Sequence, residues 1–168
     1  MATKNTLIVY ASQHGNAEKC ARKIFDLIDG KVDICNLKNR KSFPDASTYD
    51  SIIVGGSIYH GKVQESVSKF CYANHDILSE KRLGLFISCL YSGEKAEREL
   101  REAFPQELFE KAVVADYFGG EIDKSRLSFL ERILTNRMTE SGKLAPSISQ
   151  EKIKSFAQKM NPTDDFKE

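Results

Sequence analysis

The chain has 168 residues, of which 40% are hydrophobic and 29% charged, and its formal net charge is +1. This composition predicts one globular domain around a single core, without the bulk charge that would attract nucleic acid. The four cysteines form no Cys-x-x-Cys pair, no signal peptide is recognisable, and no run of roughly 18 apolar residues could span a membrane. We therefore expect a cytoplasmic protein with reduced thiols and no metal site, and leave open a peripheral contact with the inner face of a membrane.

Apolar runs of strand length alternate with segments of helical period in the first third of the chain. Residues 5–12, NTLIVYAS, are almost continuously apolar, which predicts a strand buried on both faces. An amphipathic helix follows, with apolar residues at three- and four-residue steps, and Gly30 ends it. Residues 31–37, KVDICNL, alternate apolar and polar side chains, which predicts an exposed edge strand.

The same alternation continues along the chain. Strands are predicted at residues 50–57, 82–90 and 111–120, and a loop and a helix follow each of the first two. Repeated strand and helix units predict a parallel sheet that is covered by helices on both faces, the doubly wound α/β class. In such sheets ligands bind beyond the carboxyl ends of the strands, so the loops there are the candidate site.

Two helices are predicted near the end of the chain, at residues 125–138 and 148–160. Ser147 and Gln150 have the spacing of a capping box for the second helix. The first helix has an apolar stripe with basic residues around it, which predicts a cover helix for the sheet. Its start could at the same time wall a ligand site together with Gly119, Gly120 and Ile122, with basic residues receiving carboxylates or anionic lipid head groups. The stripe is Leu127, Leu130, Ile133, Leu134 and Met138, and the basic residues are Lys124, Arg126, Arg132 and Arg137.

The loop SQHGNA, residues 12–17, joins the first strand to the first helix and contains no lysine or arginine. A helix N-terminus has unpaired amide groups and partial positive charge, so it can hold an anion without a basic side chain. Gly15 would let the backbone approach a ligand, while Ser12 and Asn16 could add donors. An ordinary turn with Asn16 as N-cap is the alternative. Neither a P-loop nor a Rossmann fingerprint is present.

Two further loops follow core strands, and each carries a tyrosine beside glycine and hydroxyl residues. Tyr59 lies in SIYHG, residues 57–61, and Tyr91 lies in SCLYSG, residues 88–93. Together with the anion-binding loop they fit a phosphorylated planar ligand that stacks on the tyrosines. Each tyrosine could instead be a loop packing residue, and Cys89 is predicted to be a small buried thiol.

These blocks resemble the flavodoxin family. SQHGNA is similar to that family's turn for the FMN phosphate, with His14 and Ala17 where hydroxyl residues are usual. Within the family the chain looks closest to menaquinone-dependent protoporphyrinogen oxidases, on LIVYASQHGNAEKCA, DSIIVGGSIYHGKVQESVSKF and YFGGEIDKSRLSFLERILTNRM. The resemblance implies five parallel strands in the order 2-1-3-4-5, one FMN-binding domain over residues 1–161 and a loose tail, 162–168. The implied cofactor-binding residues are Ser12, Gln13, His14, Gly15, Asn16, Ala17, Ser57, Ile58, Tyr59, His60, Gly61, Ser88, Cys89, Leu90, Tyr91, Ser92, Gly93, Gly119 and Gly120.

The resemblance also implies an FMN-dependent oxidoreductase. It would pass hydride or electron equivalents between an organic substrate such as protoporphyrinogen IX and a quinone, with no obligatory catalytic acid or base among its side chains. The balanced net charge, with His60 and Lys62 beside the proposed ring site, favours this function over a one-electron carrier serving a reductase or oxidase partner. A cofactor-free signalling or scaffold domain is the third alternative.

Overall fold

A parallel sheet forms the centre of the computed structural model. Its five strands stand in the predicted order, 2-1-3-4-5 when only the parallel strands are numbered, and a short additional strand pairs antiparallel with the third. The short strand was not predicted because two residues leave no periodic pattern. In chain order the strands are Asn5–Ala11 (β1), Lys31–Asn36 (β2), Ser51–Tyr59 (β3), Lys62–Val63 (β4), Arg82–Ser88 (β5) and Val114–Tyr117 (β6). The structure describes residues 4–38, 40–123, 125, 127–145 and 147–162.

Two helical layers cover the sheet. Helices α1 (Asn16–Leu27) and α7 (Gln150–Met160) pack on one face, and α2 to α5 pack on the other. The helices of the second layer are Glu65–Ala73 (α2), His75–Glu80 (α3), Glu94–Ala103 (α4) and Gln106–Lys111 (α5), and the remaining helix is Phe129–Glu140 (α6). The predicted doubly wound arrangement is therefore confirmed.

Both faces of the central strands are buried, as their sequences predicted. In β1, Leu7 packs into the core under α2 to α5, while its neighbour Ile8 packs into the core under α1 and α7. On the latter side Phe86 of β5 stacks on Phe118 at 5.5 Å between ring centroids. The Phe86 ring occupies the space in which a side chain at Gly55, its cross-strand partner in β3, would otherwise lie. A glycine at position 55 thus makes room for a large aromatic side chain in the core.

Several predicted boundaries differ from the structure. The last strand spans only Val114–Tyr117, because Lys111 already belongs to α5 and only residues 114–117 pair with β5. The loop predicted from residue 57 is instead the end of β3, and the chain reverses tightly at His60 and Gly61, which have φ angles of 49° and 75°.

The cap of α7 also differs from the prediction. Ser149 caps this helix by accepting a hydrogen bond from Lys152 N, so the prediction of Ser147 as the cap was wrong. Ser149 is the residue directly before the helix, so its side chain can reach the amides of the first turn.

Helix α6 does not cover the sheet, so that prediction was wrong. It has no buried side chain, and Phe129, Leu130 and Leu134 are 77%, 71% and 59% exposed. Both faces of the sheet are already covered by the other helices, which leaves no apolar surface for α6. A capping box between Ser128 and Glu131 supports the helix locally. The basic residues Lys124 and Arg126 and the tail from residue 163 on lie outside the described residues.

No helix in the described part of the chain combines the length and the apolar character needed to cross a membrane.

Candidate cofactor site

A cavity of about 520 Å³ opens beside the carboxyl ends of β1, β3 and β5, within the usual size range of small-molecule sites. It lies at the edge of the sheet where the sequence placed the site. Nine predicted site residues line it: Gln13, His14, Asn16, Ser57, Ile58, Tyr59, Ser88, Cys89 and Leu90. Glu121, Ile122 and Asp123, from the segment after β6, complete the lining.

The loop after β1 brings the start of α1 to the cavity. Gly15 is the N-cap residue with a φ angle of 90°, and its N–H donates to Ser12 Oγ at 2.9 Å. Helix α1 then begins at Asn16 without any side-chain cap hydrogen bond. The alternative in which Asn16 caps the helix was therefore wrong. Within the described residues, the amides of the first turn have no side-chain partner, which suits the binding of an anion.

The side chain of Asn16 holds two loops together. Its Nδ2 donates to Glu121 O at 3.1 Å, and its Oδ1 accepts from Glu121 N at 3.3 Å. The predicted extra donor of Asn16 is thus already engaged, because the residue after Gly120 reaches back to it. Glu121 also forms an ion pair with Lys19 of α1, and the hydrogen bond from Lys19 lowers the pKa of the Glu121 carboxyl. The negative charge of Glu121, which lies close to the start of α1, is thereby partly neutralised.

One of the two predicted tyrosines lines the cavity. Tyr59 is 50% exposed, and its ring contacts those of His14 and His60 at centroid distances of 5.7 and 4.2 Å. The ring of Tyr91 is not part of the lining, because Lys95 Nζ lies 3.3 Å from its centroid and its backbone bridges to Leu144. Leu90, the predicted site residue before Tyr91, does line the cavity.

A hydroxyl group of the lining has no partner. Ser57 Oγ is buried and makes no hydrogen bond to the described residues, although the Ser57 N–H donates to Gln64 Oε1 at 3.0 Å. A buried hydroxyl without a partner is costly, and a polar ligand atom in the cavity would satisfy it. The cavity therefore offers an unpaired helix start, an aromatic side chain and an unpaired hydroxyl, which fit a planar ligand with an anionic group.

The remaining predicted site residues lie behind the lining or beside it. Ser88 Oγ donates to Gly119 O at 2.7 Å, and a Cβ on Gly120 would lie 3.1 Å from Asn16 Nδ2, so the glycine pair packs behind the wall. Contact with a ligand stays a prediction for all of these residues. They are Ser12, Gly15, Ala17, His60, Gly61, Tyr91, Ser92, Gly93, Gly119 and Gly120.

Two acidic residues of the lining were missed. Glu121 and Asp123 follow the glycine pair in the sequence GGEID. Their position directly after glycines near the end of a strand was the sequence signal that could have identified them as lining residues. The exposed side chain of Lys62, which was predicted to lie beside the ligand, is not part of the lining. The wall is therefore more acidic than the sequence suggested.

Cys89 is an inert member of the wall. All four cysteines are free and buried, in agreement with the predicted reduced thiols. Burial raises the pKa of the Cys89 thiol to about 12, so the thiol stays protonated at neutral pH. The prediction of a small buried thiol at this position is confirmed.

The sequence matches the flavodoxin domain over residues 7–147. The chain belongs to the flavodoxin-domain family. Among solved structures, it is similar to a flavodoxin from Streptococcus pneumoniae TIGR4, with 17% identity, 93% of this chain and 94% of that chain covered, and a TM-score of 0.55. It is also similar to a WrbA-like flavodoxin protein from Agrobacterium tumefaciens, with 15% identity, coverage of 83% and 98%, and a TM-score of 0.56. At these identities the likeness shows a shared fold. No curated protein matches the chain.

FMN is the cofactor of this flavodoxin-domain protein. The residues present fit it: the start of α1 suits the phosphate, while Tyr59 and the unpaired Ser57 hydroxyl suit a flat ring with polar edges. The alternative of a cofactor-free domain loses its support.

The backbone of Gly15 provides one test of the phosphate site. A Cβ at Gly15 would meet no atom within 4 Å, so Gly15→Val acts through its φ angle of 90° and not through a clash. Left-handed backbone costs a non-glycine residue about 1–2 kcal/mol, and relief of that strain moves the first-turn amides. We expect about tenfold weaker FMN binding in a fluorescence-quenching titration. Gly142→Val, at another open left-handed position, should leave the affinity unchanged; equal losses in both variants would refute the placement.

Ser57 and Ser88 form a matched pair for a second test. Ser57→Ala removes a buried hydroxyl without a partner, so the unfolding free energy of the apoprotein should stay equal or rise. FMN affinity should fall about three- to tenfold if the hydroxyl binds the cofactor. Ser88→Ala removes the bond to Gly119 O and should destabilise the apoprotein by about 1–3 kcal/mol in urea. A destabilised apoprotein with Ser57→Ala and undiminished FMN affinity would contradict this assignment.

Proposed function

We propose that this protein is an FMN-dependent oxidoreductase that passes hydride or electron equivalents between an organic substrate, such as protoporphyrinogen IX, and a quinone. When bound, FMN supplies the redox chemistry, and the chain binds it, orients it and limits access to it. The observation that carries the proposal is an exposed apolar helix, α6, that follows the cavity wall in the chain and whose C-terminal segment bonds to the loop after β5.

The first step of the argument is the position of α6. The chain leaves the cavity wall after Asp123, forms α6 and returns along the loop after β5. On its return Ala145 N donates to Leu90 O at 2.7 Å, and Ser92 N donates to Lys143 O at 3.2 Å. Leu90 itself lines the cavity. The chain segments on both sides of α6 therefore reach the cavity wall, one through Asp123 and the other through the bond to Leu90.

The second step is the surface of α6. Phe129, Leu130 and Leu134 expose most of their apolar side chains, and exposed patches of this kind mark ligand or membrane contacts. Arg137 and Lys143 are exposed nearby and suit carboxylate groups of a substrate or anionic lipid head groups. A large apolar substrate, or a quinone reached at a membrane surface, would give these side chains a partner.

A one-electron carrier with a redox protein partner is the second candidate. Its support is the pair of acidic residues in the lining, Glu121 and Asp123. Carboxylates near the cofactor disfavour the negatively charged reduced form and lower its potential, which suits a low-potential carrier. The ion pair of Glu121 with Lys19 weakens this effect.

An anaerobic assay distinguishes the two candidates. The protein is loaded with FMN, mixed with protoporphyrinogen IX and then with a menaquinone analogue, and its absorbance is followed. The oxidoreductase proposal expects bleaching of the flavin band by the substrate and recovery with the quinone. Tight FMN binding without bleaching, together with two widely separated one-electron potentials in a redox titration, would favour the carrier.

The surface of α6 is tested separately with vesicles that contain phosphatidylglycerol. The double substitution Phe129→Ser and Leu130→Ser removes exposed apolar side chains, so folding should be unaffected while vesicle co-sedimentation and quinone turnover fall about tenfold. Tyr72→Ser is the matched control, because Tyr72 is 72% exposed on α2 and outside the cavity lining. Undiminished vesicle binding and turnover in the double variant would remove α6 from the proposal.

A further inference from the structure

A carboxyl group is buried directly behind the cofactor site. Glu99 of α4 is 7% exposed, and its Oε2 has no hydrogen-bond partner among the described residues. A buried carboxylate without a full set of partners is unfavourable, so the protonated form is stabilised. Burial raises the pKa of Glu99 above its ordinary value; the charge of Glu102 adds to this rise, whereas Lys95 and the neighbouring Cys89 thiol oppose it.

The side chain of Cys89 is a neighbour of both this carboxyl and the cavity. Cys89 lines the cavity, is almost fully buried and is a close enough neighbour of Glu99 that each group shifts the pKa of the other. Its thiol also donates to Tyr91 O at 3.5 Å. Because the thiol carries no charge at neutral pH, it does not screen the carboxyl from charge in the cavity.

The cations around Glu99 and Cys89 have other partners. Lys95, one turn before Glu99 on α4, has its Nζ over the ring of Tyr91 at 3.3 Å. Lys152, whose charge acts on Cys89, bonds to Asp116 Oδ1 at 3.1 Å. No ion pair to Glu99 is found within the described residues. No neighbouring cation therefore fixes the carboxyl in its charged form, and its protonation can respond to charge in the cavity.

We propose that Glu99 is a proton-binding group coupled to the charge in the cofactor site. When negative charge enters the cavity, with the FMN phosphate or with electrons on the bound cofactor, the Glu99 carboxylate takes up one proton from solvent. It releases that proton to solvent when the charge leaves. This inference rests on the FMN site and not on the identity of the substrate.

The coupling is reciprocal, which makes it measurable as a pH-dependent affinity. If FMN raises the pKa of Glu99, protonation of Glu99 must tighten FMN binding. The FMN dissociation constant of the wild type should therefore rise with pH between about pH 5 and about pH 8, and it should rise more than that of Glu99→Gln. The additional rise is about tenfold for each unit by which FMN binding raises the pKa of Glu99. Glu102→Gln removes the same charge from an exposed position on α4 and should follow the wild type.

The FMN phosphate titrates in the same range, but it is common to all three proteins and cancels in the comparison. Superimposed curves for wild type and Glu99→Gln would overturn the proposal, as would identical changes in Glu99→Gln and Glu102→Gln. Failure of the substrate assay would leave this result untouched, because the titration needs only FMN.

A second measurement uses the wild-type protein and covers the case in which Glu99→Gln does not fold. Infrared difference spectra on reduction of the FMN-loaded protein with dithionite, recorded at several pH values between about 5 and about 9, should show the C=O band of a newly protonated carboxylic acid within that range. The absence of that band overturns the proposal.

The apoprotein adds a sign check. The folded-state pKa of Glu99 lies above its unfolded value of about 4.3, so its contribution to stability is complete below that value and is lost as the pH rises through the folded pKa. The stability advantage of Glu99→Gln over wild type in urea should therefore grow with pH across that window. An advantage that does not change with pH would mean that Glu99 is not a proton-binding group.

Discussion

Burial of β1, β3 and β5 on both faces is the constraint on which the rest of the structure depends. Leu7 and Ile8, neighbours in β1, point into two different cores, so no face of these strands is free for chemistry. Polar groups that could serve a ligand are therefore confined to the strand ends. The packing that allows this is close, because the Phe86 ring occupies the space over Gly55. The cofactor site lies at this edge of the sheet because the centre of the sheet is closed.

Much of the fold could be predicted because its signals are local. A continuous apolar run indicates a strand buried on both faces, and a period of three to four residues indicates an amphipathic helix. Pairing between strands is not a local property, so the strand order required the resemblance to flavodoxins. The apolar stripe of α6 correctly indicated a helix. An apolar stripe does not show whether the rest of the protein has an exposed apolar surface against which the helix can pack. In this structure the other helices cover both faces of the sheet.

The position of the cavity could be predicted because the loops around it follow strands with local sequence signals. The contacts of individual side chains could not be predicted, because they depend on residues far away in the chain. The loops after β1, β3 and β5 do meet at one cavity. The contacts that Asn16 and Tyr91 make could not be predicted, because each depends on a distant part of the chain. Asn16 bonds to Glu121, and the backbone of Tyr91 bridges to Leu144. No pattern around residue 16 or residue 91 contains that information.

The attachment of α6 separates the packing of the core from the exposed surface that we propose for the recognition of partners. The segment that contains α6 is joined to the loop after β5 by backbone hydrogen bonds, such as the one from Ala145 N to Leu90 O. This segment adds no strand to the sheet. Its sequence can therefore vary, or be exchanged for another segment, without a change in the packing of the core. Such an arrangement allows one flavin scaffold to acquire new partners in evolution, and it gives protein engineers a natural position for grafting a different recognition element.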